Sequence, residues 1–260
     1  MKLPRFPRRA LIGLVGLGLL QWSCSAASQA LGSTPASVAT QASQAPSPAP
    51  SNCQNSYFPV TAGAAWTNTG KFSNQSYTRV FTIMNTSTDS FQARTQISDA
   101  SGNTLIDRTD EWQCTTGGLL EPGGPLGATL QSAAGGATVK TLSTSDMTIP
   151  ANIKTGDTWA QVSQLQFTTA DKTSESTLTY DFTAFGAEQI TVPAGSFNAI
   201  KVQVHANTQA VVSGQTVAVT VSGFEWFAPG VGHVKSSETV YAFGLPFASE
   251  ESALQSYKIP

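Results

Sequence analysis

An all-β domain is the fold class this sequence predicts: a single antiparallel curved sheet, or an open barrel or sandwich, of about 10–13 strands. Three observations predict it. Short segments from Tyr57 onward alternate in polarity with a period of two and are rich in Val, Ile, Thr and aromatic residues, which marks half-buried strands. Gly, Pro, Asn and Ser clusters punctuate them at short intervals, so neighbouring strands pair antiparallel. The 260 residues include 29 Ser, 32 Thr and 22 Gly, and only 12% are charged, a composition opposite to that of a helical protein.

The expected strands follow in order. Ser76–Met84 places Tyr77, Arg79, Phe81 and Ile83 on one face. Phe91–Ile97, Thr104–Arg108 and Glu111–Cys114 continue the alternation. Thr158–Thr168, Ser176–Phe185, Ile190–Val192, Ala199–His205, Ala210–Val221, Phe224–Phe227 and Val231–Ala242 complete the set. Turns are expected at Ser101–Asn103, Gly117–Gly118, Pro122–Pro125, Gly135–Gly136, Pro193–Gly195, Ser213–Gly214 and Pro229–Gly230. No stretch has a 3.6-residue amphipathic period. Two segments echo each other: Gly63-x-x-Trp66 and Gly156-x-x-Trp159 each lead a turn into a strand. Duplication and convergence both account for that.

Three regions are expected: a signal peptide over residues 1–23, an anchor Cys with a disordered linker over 24–52, and the β-domain over 53–260. Lys2, Arg5, Arg8 and Arg9 precede an apolar run, Ala10–Leu20, which is too short to span a bilayer. Cys24 follows directly and resembles the lipidated Cys of a bacterial lipoprotein, although Gln21 stands where such signals carry Leu. Ordinary cleavage after Ala27 or Ala30 is the rival reading. Residues 25–52 hold eight Ala, seven Ser, four Pro and no charge, too little apolar area to offset ordering. Loss of residues 1–23 removes four of 14 basic residues and leaves 16 acidic ones, a net charge of −6. That balance disfavours nucleic acid and anionic headgroups, so membrane attachment would come from the lipid on Cys24.

In an oxidising compartment the remaining pair, Cys53 and Cys114, is expected to form a disulfide; a reactive thiol has no neighbouring His or basic residue to support it. No metal and no cofactor is called for. His205 and His233 are the two histidines, with no nucleophile elbow beside either. His205 falls on a solvated strand face and His233 in a turn. Asp107, Asp110, Glu111 and Glu225 are the carboxylates a polysaccharide hydrolase would need, but Asp107, Arg108 and Asp110 read as exposed charges. Trp66, Trp112, Trp159 and Trp226 read as core residues more than as ligand platforms.

Tyr57–Trp66, Gly156–Trp159, Ile190–Val202 and Trp226–Lys235 together resemble the TapB-like family of β-rich bacterial envelope proteins and lipoproteins. The resemblance covers residues 57–242 and implies a curved antiparallel sheet with no catalytic motif to transfer. The expected function is a non-enzymatic envelope lipoprotein, a tethered β-domain for binding or assembly at a membrane surface with an envelope protein or hydrophobic ligand as partner. The alternatives are a carrier of a small hydrophobe in an apolar groove and a polysaccharide-acting hydrolase. A secreted or periplasmic location follows if the signal is cleaved in the ordinary way.

Overall fold

The computed structural model describes residues 53–124, 138–168, 173–212 and 215–260, the side chains of 210–216 aside. The signal segment, Cys24 and the linker lie outside the described residues, as do the expected turns at Gly135–Gly136 and Ser213–Gly214. Thirteen antiparallel strands form one curled sheet, and none of the elements among the described residues is a helix. They are β1 (Ala65–Phe72), β2 (Gln75–Thr86), β3 (Ser90–Asp99), β4 (Thr104–Thr115), β5 (Gly118–Leu120), β6 (Thr138–Asp146), β7 (Ile149–Pro150), β8 (Thr158–Thr168), β9 (Thr173–Val192), β10 (Gly195–Val212), β11 (Gln215–Ala228), β12 (Gly232–Ala242) and β13 (Leu245–Lys258).

The spatial order is β6-β8-β9-β10-β11-β12-β13-β1-β2-β3-β4-β5-β7. Its two edges, β6 and β7, are separated in sequence only by Met147 and Thr148. Two residues reach about 7 Å, so the sheet must curl until its edges meet there. Two hydrogen bonds record the junction: Met147 N–H donates to Ala160 O on β8, and Thr148 N–H donates to Leu119 O on β5. Elsewhere β4 has lost its second partner, because β5 matches it only over Gln113–Thr115, and the half-barrel stays open.

Residues 53–64 plug the curl. Phe58 and Val60 are buried, and Phe58 stacks on Trp66 at 5.2 Å and on Trp112 at 5.7 Å between centroids. Ser56 donates to Ala151 O and accepts from Gly230 N–H; the Tyr57 hydroxyl donates to Ile153 O. Cys53 and Cys114 are disulfide-bonded, with Cα atoms 4.8 Å apart. The segment thus ties β4, the loop after β7 and the β11–β12 turn together.

That turn shows the local chemistry plainly. Val231 N–H donates to Ala228 O across Pro229 and Gly230, and Gly230 has φ +69°, the type II geometry a Pro-Gly pair presets. The two Gly-x-x-Trp echoes also share a geometry. Gly63 N–H donates to Ile83 O and Gly156 N–H to Ala184 O, both glycines have positive φ, and Trp66 and Trp159 face Phe81 and Phe182 two residues earlier on the partner strands.

Several strands differ from expectation. β9 and β10 run unbroken where two shorter segments each were expected, with a register shift between Ile200 and Val202 absorbing the bend. β1, β6 and β13 carry no strong period-two hydrophobic signal. β13, LPFASEESALQSYK, turns glutamates to both faces and is recruited by its neighbours β12 and β1. Arg108 and Asp110 do not read out as exposed charges: they alternate with Asp107 and point into the curl, 18% and 23% exposed, 2.9 Å apart. Desolvation is the reason this was not visible; the pair is tolerable inside only because each compensates the other.

Candidate functional site

The concave face is the site. β2 sends Tyr77, Arg79 and Phe81 inward, and the register carries their neighbours in line: Asn68 and Trp66 on β1 sit opposite Arg79 and Phe81, and Thr95 on β3 faces Phe81. On the far wall, β11 contributes Glu225 and Phe227, β12 His233 and Glu238, and β13 Glu250. Glu121 enters from just after β5. Between these walls lies a cavity of about 130 Å³. Phe58, Trp66, Phe81, Trp112, Phe182 and Phe227 make its apolar lining, and Asn68, Arg79, Thr95, Glu121, Glu225 and His233 its polar one.

Two strand-interior glycines allow this packing. A Cβ on Gly70 would lie 2.6 Å from the Tyr77 ring, which crosses β1 so that its hydroxyl donates to Glu250 Oε1 at 2.5 Å. A Cβ on Gly223 would meet the β12 backbone first, Ser237 O and then Glu238 Cα at 2.5 Å, and after these Glu238 Cγ at 2.8 Å; without it Glu238 lies against β11 and reaches Glu225. Neither glycine is needed for its backbone angle. Each leaves space for a neighbour's side chain.

A register shift between Trp226 and Phe227 sets His233 opposite Phe227 and Lys235 opposite Trp226, so Val234 is the extra residue. The bulge aims His233 into the cavity. Neither ring nitrogen makes a well-formed hydrogen bond, and burial, reinforced by the charge of Arg79, holds the imidazole neutral by lowering its pKa to about 3; a weak approach of the Lys235 backbone offsets this in part.

The carboxyls shift the other way. Burial pushes Glu121 up to about 7; Arg108, 3.6 Å away, opposes it and Asp110 adds to it. Burial likewise raises both Glu225 and Glu238, and Glu238 is raised further because the Glu225 carboxyl lies beside it. Desolvation and then Glu250 raise Tyr77. Arg79 is the cation these groups share: it draws Glu121, Glu225 and Glu238 down and forms no ion pair within 4 Å among the described residues.

The candidate residues of the sequence scatter. Asp107 and Glu111 face outward, the former paired with Arg94, while Asp110 faces inward, so their cluster does not exist in space. His205 is exposed on the outer face. Trp66, Trp112 and Trp226 are buried. Trp226 lies on the face opposite Glu225, donates to Glu188 and is covered by Lys235 at 4.9 Å. The groups brought together in the cavity, Arg79, Asn68, Glu121, Glu225, Glu238 and His233, were mostly missed. The available signal was Arg79 sharing a strand face with Tyr77, Phe81 and Ile83. No group of three His, Cys, Asp or Glu side chains that could hold a metal occurs among the described residues.

A family model described as DUF3108-like matches residues 61–240. The chain belongs to the DUF3108-like family. The match carries that name and not the TapB-like one, while the curved sheet that the resemblance implied is shared by two solved structures. An exported protein with a YmcC-like fold from Bacteroides fragilis NCTC 9343 matches with a TM-score of 0.54 and 18% identity, covering 79% of this chain and 100% of its own. A lipoprotein from Parabacteroides distasonis ATCC 8503 matches at TM-score 0.55 and 18% identity, covering 79% of this chain and 99% of its own. At that identity the likeness shows the fold. No curated protein matches the chain.

Proposed function

We propose that the protein is a non-enzymatic envelope lipoprotein, tethered through Cys24 and the 25–52 linker, whose β-domain binds a small molecule in its concave cavity. The observation that carries the reading is a cavity of about 130 Å³ with an aromatic side and a polar side, inside a fold shared with an exported protein and a lipoprotein. Catalysis is disfavoured by geometry. His233 has no hydrogen-bonded nucleophile, and nucleophilic catalysis needs that pair. Glu225 and Glu238 bond to each other, whereas a glycosidase holds its carboxyls roughly 5–10 Å apart with the sugar between them. The carrier reading in its purely apolar form fits less well, since half the lining is polar.

The test has two parts. Cys24→Ala in the full chain is expected to move the protein from the membrane fraction to the soluble envelope or medium. Native mass spectrometry of protein isolated from the envelope is expected to show a retained small molecule that leaves on denaturation. A Cys24→Ala variant still bound to membranes removes the tether. An empty cavity in every preparation removes the binding role.

A further inference from the structure

We propose that the cavity takes a small aromatic carboxylate, its carboxylate held by Arg79 and Asn68 and its ring against Trp66, Phe81 and Trp112. This rests on the binding role proposed above and names its ligand class. Asn68 is 3% exposed, faces the cavity, and its Nδ2 has no hydrogen-bond partner. A buried amide donor left unpaired is costly, so a polar occupant is called for, and it must accept hydrogen bonds.

Arg79 stands directly opposite Asn68 across the β1–β2 ladder, which brings the two side chains within reach of one group. The other inward guanidinium, Arg108, is engaged by Asp110 and Glu121, and the outer Arg94 by Asp107. Arg79 has no such partner. A planar guanidinium fork beside a free amide suits a carboxylate. The glutamates around it do not fill that role: none forms an ion pair with Arg79 among the described residues, and Glu121 lies against Arg108.

Size and shape fix the rest. A cavity of roughly 150 Å³ accommodates benzene, so about 130 Å³ suits one ring and little more. An acyl chain would outgrow this volume and run out through the open side of the cavity, away from the Arg79 and Asn68 donors or the aromatic wall. A cation would meet Arg79, and a plain hydrocarbon would leave Asn68 and Arg79 unsatisfied. Phe58, Phe81 and Trp112 already form one cluster, Phe58 stacked on Trp112 at 5.7 Å and Phe81 edge to face with Trp112 at 5.9 Å, and the faces they turn to the cavity are where a ligand ring adds to it.

The experiment titrates the full-length protein, freed of retained ligand by refolding, with benzoate, benzamide and benzene, reading Trp fluorescence and calorimetric heat. Benzoate is expected to saturate and to bind at least roughly tenfold more tightly than benzene, as hydrogen bonds to a charged group imply. Arg79→Met and Asn68→Asp are each expected to weaken benzoate by roughly tenfold or more. Arg79→Lys, which keeps the charge and loses the fork, should fall between. Circular dichroism confirms the fold, and Asn68→Asp serves if Arg79→Met does not fold. No saturable benzoate binding to the folded protein, equal binding of benzene and benzoate, or unchanged binding in a folded Asn68→Asp variant each overturns the proposal. A retained envelope molecule without a carboxylate would overturn this ligand class while leaving the binding role standing.

Discussion

Replacing Gly70 by Ala is a one-carbon change whose cost can be worked from the packing around β1. The new Cβ would lie 2.5 Å from Glu251 O on β13 and 2.6 Å from both Cζ and Oη of Tyr77 on β2. Real Cβ atoms do not approach so closely, so the strand or the ring must move. Overpacking of this kind costs about 1–3 kcal/mol. Moving the ring also breaks the hydrogen bond from Tyr77 to the half-buried Glu250 carboxylate, about 1.5–3 kcal/mol for a charged acceptor. The sum is roughly 2.5–6 kcal/mol, a fall in Tm of roughly 5–24 °C for a domain of this size. Urea unfolding followed by Trp fluorescence measures it. The same change in a Tyr77→Ala background meets only the Glu251 carbonyl, so its cost should drop by about 1.5 kcal/mol or more. A Gly70→Ala protein within about 0.5 kcal/mol of wild type, or an equal cost in both backgrounds, refutes the account of the glycine as space for Tyr77.

Four other perturbations have definite expected outcomes. Cys53→Ala with Cys114→Ala opens a loop of 61 residues and should cost about 4 kcal/mol, read as a Tm drop of roughly 8–16 °C that reductant reproduces in the wild type. Glu121, raised to about 7 from an ordinary 4.5, contributes stability that is complete below about pH 4.5 and is lost as pH rises through 7; Glu121→Gln should therefore gain on wild type between pH 5 and pH 8, by at most about 3 kcal/mol, and a pH-independent difference counts against it. His233, lowered to about 3, acts in the opposite sense: its contribution is present above about 6.5 and is lost as pH falls toward 3, so His233→Phe should flatten the acid limb of the stability profile. Gly230→Val meets no atom within 4 Å, so only its left-handed backbone resists, at roughly 1–2 kcal/mol and several degrees of Tm with ligand binding unchanged.

What could be seen in the sequence was what local chemistry decides. Pro229-Gly230 presets its own turn, and the alternation from Tyr77 to Ile83 assigns a face without reference to any other strand. The fold class follows because such segments recur with short connections. β13 was hidden since its period is masked by Glu250, Glu251 and Pro246, and only pairing with β12 and β1 makes it a strand. The cavity was hidden for a different reason. Charged residues conventionally mark the solvent face, so Arg108 and Asp110 read as exposed and nothing marked Glu238 at all; inside, their placement depends on partners contributed by β4, β11, β12 and β13 together. His233 needed a bulge to face inward, and a one-residue shift in register leaves no mark in composition.

The bond between Cys53 and Cys114 also decides how the domain bears a load. The described chain begins at Cys53, twelve residues before β1, yet Cys53 is joined covalently to the end of β4. A pull arriving from the N-terminal side is therefore delivered to Cys114, where β3 and β5 flank β4, and not to the start of β1. With the bond intact, the strands must slide past one another together. With it reduced, the load passes through the plug to Ala65 and can peel the β1–β2 and β1–β13 ladders one rung at a time. The disulfide thus acts as a strain relief for the cavity wall formed by β1 and β2, keeping a force applied ahead of Cys53 from reaching Asn68 and Arg79.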